Sequence, residues 1–291
     1  MIDLFTYLKS KFTAGTVKRY LFSIELYQST VGNENARTAR YFDITEYINV
    51  LRNKGYKPPY VKTELYGLKN YYQWLVHTRQ RLDNPTKNLY LNDLHSRDVQ
   101  FQNLFTPSEL ESLLQREERY ELLKWRNQIA ISLYIYQGLS TGEIINLTTD
   151  AIDFDRGSVF IRATNRSNSR ILALRDKQMI FIERYLTFDR PFLIKMNTDK
   201  LLIGKLGKPE AGEGIQYLIE VNKLIFPGRN LNPKTIRQSV IVNLFKTGMD
   251  IKDVQLFAGH KYPSTTERYR PTDLNALNEA VMRFHPLGEI N

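Results

Sequence analysis

The 291-residue chain is 42% hydrophobic, so it can bury a core, and its length favours two domains. Its formal net charge of +10 and its pI near 9.5 favour a polyanionic partner. Because it contains no cysteine, disulfides and thiolate metal sites are excluded. The histidines lie too far apart along the chain to predict a metal cluster; they are His77, His95, His260 and His285.

The positive charge is spread along the chain and is not concentrated in a tail. Of the first hundred residues, fifteen are Lys or Arg and nine are Asp or Glu, so this part carries +6 of the +10. Such a distribution is more typical of a folded surface that contacts a phosphate backbone than of a disordered basic arm. Charge alone leaves open a soluble protein whose surface is basic for other reasons.

The sequence has no pattern of membrane insertion or export. No apolar run is long enough to span a bilayer, and the first residues, MIDLFTYLKSKF, lack the pattern of a signal peptide. We therefore expect a protein of a reducing, bacterial-type cytoplasm with no membrane partner.

Helical periodicity dominates the first part of the chain. A short helix begins at Leu4, Asp43 is predicted to cap another, and Pro58 with Pro59 is predicted to open the longest. The longer predicted helices cover 16–27, 44–52 and 58–75. Four helices in so short a segment predict a small bundle.

The second part of the chain has a mixed pattern. Asp83-Asn84-Pro85 breaks the last helix of the bundle, the polar segment 86–104 is predicted to be a linker, and Thr106 is predicted to cap the next helix. Beyond it the order is helices, a two-stranded pair at 158–163 and 170–174, then helices. We predict domains 1–85 and 105–291, mainly α with a small β component.

Three residues near the carboxyl end stand at informative intervals: Arg237 in NPKTIRQ, His260 in FAGHK and Tyr269 in TTERYRP. Any one of them means little, since a tyrosine in a basic protein is most often a packed aromatic. In register, they resemble the tyrosine recombinase (phage integrase) family, including lambda integrase and Xer-like proteins, whose pattern runs H-x-x-R, L-G-H and Y. The resemblance covers nearly the whole chain and is weaker over its first hundred residues.

The resemblance implies the fold and the partner. It implies a SAM-like helical core-binding domain followed by a mixed α/β integrase-type catalytic domain, which together clasp double-stranded DNA. The basic residues expected at the DNA are Lys18, Arg19, Lys62, Lys69, Arg162 and Lys261.

The resemblance also implies a chemistry that needs no metal and no cofactor. Tyr269 would attack a DNA phosphodiester and form a 3′-phosphotyrosyl bond, so the bond energy is kept for rejoining. Arg237 would clamp the phosphate oxygens, because its planar fork binds two of them and stays charged. His260 would donate to the same phosphate. Lys234 stands where histidine is commoner and keeps a positive charge and a proton donor.

Two positions depart from the family pattern. Ser140 replaces the first arginine of G-L-R-x-x-E, whereas Glu143, which supports that arginine in the family, remains. Asn165 replaces the lysine of the hairpin, although Arg166 is adjacent. Losing one preorganised donor typically costs about 10²–10³ in rate. Lys234, Arg166 or Arg162 are the candidates to supply the missing charge.

Three functions remain open on the sequence. The first is a working or weakened site-specific recombinase or integrase. The second is a catalytically impaired DNA-binding relative that acts as a structural or regulatory partner of an active recombinase. The third, a helical nucleic-acid-binding module with no recombinase history, is disfavoured by the interval between His260 and Tyr269.

An amphipathic helix is predicted after Tyr269, with its apolar stripe at 274–284. The resemblance implies that this helix docks on a neighbouring protomer and links a tetramer on DNA, with docking on its own chain as the alternative. We expect a monomer that assembles on DNA, with accessory DNA-bending or partner recombinase proteins as further candidate partners.

Overall fold

The computed structural model describes residues 2–93, 99, 101–115 and 118–270. The chain divides into two compact units, Met1–Arg97 and Asp98–Asn291. The division falls inside the predicted linker 86–104. The beginning of that linker is part of the first unit, because Leu89 is buried in its core.

The first unit is a helical bundle. Its helices are α1 (Leu4–Lys9), α2 (Ala14–Val31), α3 (Asn33–Thr38), α4 (Tyr41–Asn53) and α5 (Pro58–His77). The helices α2 and α5 approach closely at Gly67, where an added Cβ would lie 2.6 Å from the Cβ of Ser23. Between them the hydroxyl of Tyr72 lies 3.1 Å from that of Tyr27 and donates to the carbonyl of Ala36 at 2.7 Å. The predicted bundle is confirmed.

Two predictions for this unit are corrected by the structure. The short helix α3 was not predicted, because its polar sequence NENART has no apolar period. Asp43 is not the N-cap of α4, which begins at Tyr41; its carboxylate accepts a hydrogen bond from the amide of Arg40 at 2.7 Å. Asp43 therefore stabilises the helix start from within the first turn.

The second unit begins with α6 (Pro107–Ser112). Thr106 caps it as predicted, since its hydroxyl accepts from the amide of Glu109 while the Glu109 carboxylate accepts from the amide of Thr106. The core surrounds α7 (Lys124–Tyr136), which is buried along most of its length. The other helices are α8 (Thr141–Asn146), α9 (Asp176–Arg184), α10 (Arg190–Leu193), α11 (Gly212–Val221), α12 (Pro233–Lys246), α13 (Ile251–Ala258) and α14 (Pro263–Glu267).

An antiparallel sheet in the order β1-β2-β3 lies within this unit. Its strands are β1 (Ile152–Asp153), β2 (Ser158–Ile161) and β3 (Arg170–Ala173). Val159 pairs with Leu172 and Ile161 with Arg170, and these four side chains are buried. The predicted hairpin is confirmed, whereas β1 was not predicted because two residues are too few to show a period.

The architecture is mainly α with one small sheet, as predicted from the sequence. Among the described residues, no helix combines the length and the apolar character needed to cross a bilayer. Within the same residues, no group of three or more histidine or acidic side chains is arranged to hold a metal ion.

Candidate active site

Arg237 is anchored on the second turn of α12. The helix begins at Asn232, whose side chain accepts a hydrogen bond from the amide of Thr235 at 3.0 Å. The Arg237 guanidinium donates to the carbonyls of Gly138 and Ala258, each at 2.6 Å. These bonds fix it between the segment that follows α7 and the carboxyl end of α13. The side chain is 17% exposed, so it is largely desolvated yet still accessible.

His260 follows the end of α13, where Gly259 has a φ of +69°, a conformation that glycine adopts at little cost. The amide of Asn168, from the β2–β3 connection, donates to the Gly259 carbonyl at 2.8 Å, which holds this turn against the hairpin. The imidazole is buried, and its Nδ1 lies 2.9 Å from the hydroxyl of Thr266. The ring is therefore held at Nδ1, and the backbone that carries it is held by the hairpin.

Tyr269 lies in the turn that follows α14. Its amide donates to the carbonyl of Thr266 at 2.9 Å, so the residue that contacts the imidazole of His260 also positions Tyr269. The two rings stack with centroids 5.7 Å apart and planes 19° apart. The half-buried tyrosine packs on a small apolar cluster formed by Ile241, Val254 and Ala258.

Glu143 lies between two guanidinium groups. Its Oε1 accepts from Nη1 of Arg170 at 2.7 Å and from the hydroxyl of Ser167 at 3.3 Å. Its Oε2 lies 3.5 Å from Nη1 of Arg237 and accepts from the amide and hydroxyl of Ser140. The carboxylate thus joins α8, the hairpin and α12 into one polar cluster.

The environment fixes the charges of this cluster. Burial raises the pKa of Glu143, but the hydrogen bond and charge of Arg170 and the charge of Arg237 outweigh it and hold this pKa at about 2. Burial lowers the pKa of His260 to about 4, with further contributions from nearby arginines, of which Arg237 is the largest. Burial also lowers the pKa of Arg237, opposed by Glu143. At neutral pH the carboxylate is charged, the imidazole is neutral and the guanidinium groups stay charged.

The two substituted positions have different surroundings. Ser140 is the N-cap of α8, and its hydroxyl is hydrogen-bonded to Glu143; it lines the site but carries no charge. Asn165 lies exposed in the β2–β3 turn and is not among the residues that line the cleft at Tyr269, whereas Arg166 is. The hairpin thus presents a guanidinium one position later than the family's lysine.

A cleft of about 1020 Å³ joins these groups. Its lining includes the predicted residues Ser140, Glu143, Arg166, Lys234, Arg237, His260 and Tyr269, together with Arg268. Its cations outnumber its carboxylates, which are Glu143 and Glu220, and both carboxylates are in ion pairs. The cleft therefore has the size and the charge to receive an anionic group beside a phenol and a neutral imidazole.

The remaining basic residues predicted in this unit lie elsewhere. Arg162 pairs with Asp150 at 3.4 Å on the surface and does not line the cleft, so it is not placed to supply the charge that position 140 lacks. Lys261 is exposed beside His260.

In the first unit the predicted DNA-binding residues differ in how far their charges are exposed and unpaired. Lys18 and Lys62 are exposed. Arg19 forms an ion pair with the buried Glu64, so part of its charge is neutralised. The ammonium of Lys69 lies over the ring of Tyr90, 4.2 Å from its centroid. The predicted helix after Tyr269 lies outside the described residues.

Three residues of the site were missed by the sequence reasoning: Arg170, Thr266 and Arg268. Arg170 carries a signal that was available, since it alternates with Leu172 on the buried face of β3, and a charged residue on that face needs a partner. Thr266 and Arg268 belong to the motif TTERYRP itself, and their roles depend on how that segment turns back on His260.

Comparisons with known proteins identify the family of this chain. The model of the phage integrase family matches residues 103–275. Tyrosine recombinase XerD of Staphylococcus aureus is 22% identical over 288 residues, which are 97% of this chain and 96% of that protein. XerD of Halalkalibacterium halodurans is 25% identical over 255 residues, which are 87% of this chain and 84% of that protein.

Solved structures share the fold. The XerH site-specific recombinase in a pre-cleavage complex with difH substrate has a TM-score of 0.70 at 17% identity, covering 91% of this chain and 78% of that one. A lambda integrase (75–356) dimer bound to a COC′ core site has a TM-score of 0.64 at 14% identity, covering 97% and 93%. Since the family match spans more than half of the sequence, this chain belongs to the phage integrase family of tyrosine recombinases.

Proposed function

We propose that this protein is a site-specific DNA recombinase that cuts and rejoins double-stranded DNA through a 3′-phosphotyrosyl intermediate on Tyr269. One observation carries the proposal: Tyr269, His260 and Arg237 line a single cleft that also contains Lys234 and further cations. A phosphodiester is the anionic group of DNA that such a cleft would receive. Family membership supports the same reaction.

The reaction proceeds by in-line displacement. The phenolic oxygen of Tyr269 passes its proton to solvent water and bonds to the scissile phosphorus, while the bond from phosphorus to the 5′ oxygen breaks. Lys234 is the candidate to protonate the leaving 5′ oxygen, which departs as a hydroxyl. In the reverse step, a 5′-hydroxyl from another strand attacks the phosphotyrosine and releases Tyr269, so strand joining needs no ATP.

Charge develops on the non-bridging oxygens in the transition state, and fixed donors stabilise it. Arg237 is held by two carbonyls, so it needs little reorganisation when the phosphate arrives. Neutral His260 donates from Nε2 when its Nδ1 accepts from the hydroxyl of Thr266, a pair that lies 2.9 Å apart. Arg166 and Lys234 compensate in part for the neutral Ser140 and Asn165.

DNA is the partner that we propose for both units. Lys62, Tyr66 and Lys69 follow one face of α5 at a spacing of four and three residues, and the first two are exposed. Such a stripe suits a phosphate backbone, since the lysines neutralise charge and the aromatic ring packs on sugar. XerH was solved bound to difH substrate, and lambda integrase bound to a COC′ core site. We propose that this chain assembles as a tetramer on two DNA duplexes.

A second function is favoured by one observation, the neutral Ser140 at the position of the family's first arginine. A protein that binds recombination sites without cutting them would act as the partner of an active recombinase. This alternative predicts DNA binding with no covalent intermediate.

Covalent trapping separates the two functions. On nicked suicide DNA that carries a recombination site, the recombinase accumulates a protein–DNA adduct, because the short fragment that bears the 5′-hydroxyl diffuses away. We expect Tyr269→Phe to abolish the adduct. Tyr262→Phe is the matched control, since Tyr262 is 69% exposed and does not line the cleft. Site-specific binding with no adduct from the wild-type protein would establish the alternative.

A further inference from the structure

Arg268 lies directly before Tyr269 and lines the same cleft. Its side chain is exposed, and among residues 2–93, 99, 101–115 and 118–270 it has no ion-pair or hydrogen-bond partner. Arg270, on the other side of Tyr269, pairs with Glu267 at 3.6 Å and does not line the cleft. Of the two arginines that flank Tyr269, Arg268 therefore presents its charge to the cleft, whereas Arg270 does not.

The carboxylates of the cleft do not neutralise Arg268. Glu143 is engaged by Arg170 at 2.7 Å, and Glu220 by Lys223 at 3.2 Å. The charge of Arg268 is felt inside the site, since it is one of the groups that hold the pKa of His260 low. A guanidinium with free donors on the wall of a cleft is a ready ligand for a phosphate oxygen.

We infer that Arg268 is a catalytic residue that supplies the scissile phosphate with the second guanidinium absent at Ser140. The inference rests on the proposed recombinase function and adds a residue to its site. Ser140 is occupied in capping α8 and in a hydrogen bond to Glu143. Arg268 reaches the cleft from the nucleophile's own segment, whereas Arg237 reaches the same cleft from α12.

The backbone around Arg268 is held by contacts on both sides of it. The amide of Tyr269 is bonded to the carbonyl of Thr266, and the hydroxyl of Thr266 contacts His260. Arg268 lies between these anchored residues, so its position at the cleft is tied to that of Tyr269.

The test is the single-turnover rate of adduct formation on saturating nicked suicide DNA. We expect Arg268→Ala and Arg268→Gln to slow it by about 10²-fold, the usual effect of losing one donor to transition-state charge. Arg268→Lys keeps the charge and should stay within about tenfold of the wild type. The matched control, Arg270→Ala, removes an equal charge from the same segment and should leave the rate within about threefold, because its partner is Glu267.

Two further measurements distinguish contact with the phosphate from general charge or folding effects. DNA affinity should fall by the same small factor in Arg268→Ala and Arg270→Ala, since both lose one charge. On a suicide substrate with a methylphosphonate at the scissile position, the deficit of Arg268→Ala should shrink to within about tenfold, because a neutral linkage needs fewer cations. An undiminished deficit, or equal rates for the two alanine variants on normal DNA, would overturn the inference. If the wild type itself forms no adduct, the proposed function fails first.

Discussion

Replacing Glu143 by glutamine removes the carboxylate charge that lies between two guanidinium groups. The side chains of Glu143 and Arg170 are 4% and 5% exposed, with Oε1 and Nη1 2.7 Å apart, and Arg237 lies 3.5 Å from Oε2. Breaking a buried ion pair by removing one partner costs about 3–5 kcal/mol, because the other charge is left uncompensated. The perturbation therefore tests whether this cluster holds the site together.

The pKa of Glu143 gives a second route to the same magnitude. This pKa falls from 4.5 to about 2, a difference that corresponds to about 3 kcal/mol. Because the folded pKa lies below the unfolded one, this stabilisation is fully present above pH 4.5 and is lost as the pH falls towards 2. We expect Glu143→Gln to lower the free energy of unfolding by about 3–4 kcal/mol at pH 7, with the difference shrinking towards zero near pH 2.

Urea denaturation measures this loss in the second unit alone if Trp125 is the reporter. The chain has two tryptophans, so a Trp74→Phe background leaves the fluorescence of Trp125, which is half-buried against Phe181. The control is Glu267→Gln, which breaks an exposed pair and should cost less than about 1 kcal/mol. A loss below about 1 kcal/mol for Glu143→Gln, or a loss that does not change with pH, would refute the reasoning.

Three further outcomes are expected. Gly259→Ala should lower the free energy of unfolding by about 2–4 kcal/mol in the same urea assay. The reason is that φ is +69° and the new Cβ would lie 2.6 Å from Nη1 of Arg170. A loss under about 1 kcal/mol would contradict this prediction. The rate of adduct formation should not change with protonation of His260 between pH 6 and 8, since burial and nearby guanidinium groups hold the pKa of His260 at about 4. An inflection of the rate near pH 6.5 that His260→Gln removes would contradict this. Lys62→Ala should reduce the slope of log affinity for DNA against log salt concentration by about 1, with the rate on saturating DNA unchanged; an unchanged slope would place Lys62 off the DNA.

The sequence was sufficient to predict the elements whose signals are local. The bundle, the hairpin and the Thr106 cap follow from apolar period, turn residues and capping chemistry. The three residues of the motif were predicted to share a site because their intervals matched a known pattern, and the structure brings Arg237, His260 and Tyr269 to one cleft.

The features that were not predicted from the sequence depend on contacts between distant segments. Arg170 is 27 residues from Glu143, and only the fold brings a strand residue against the first turn of α8. Ser140 was read as a lost charge, whereas its position also makes it a helix cap. Arg268 was not singled out in the sequence, because its place on the cleft wall depends on how the segment after α14 is folded.

The central claim is that Tyr269 becomes covalently joined to DNA, and one measurement addresses it directly. Nicked suicide DNA is incubated with the full chain, the adduct is digested with protease and nuclease, and the modified peptide is identified by mass spectrometry. We predict a phosphotyrosyl linkage on Tyr269 to the 3′ end of the cut strand, and no adduct from Tyr269→Phe. A linkage on another residue, or an adduct that persists in Tyr269→Phe, would contradict the account.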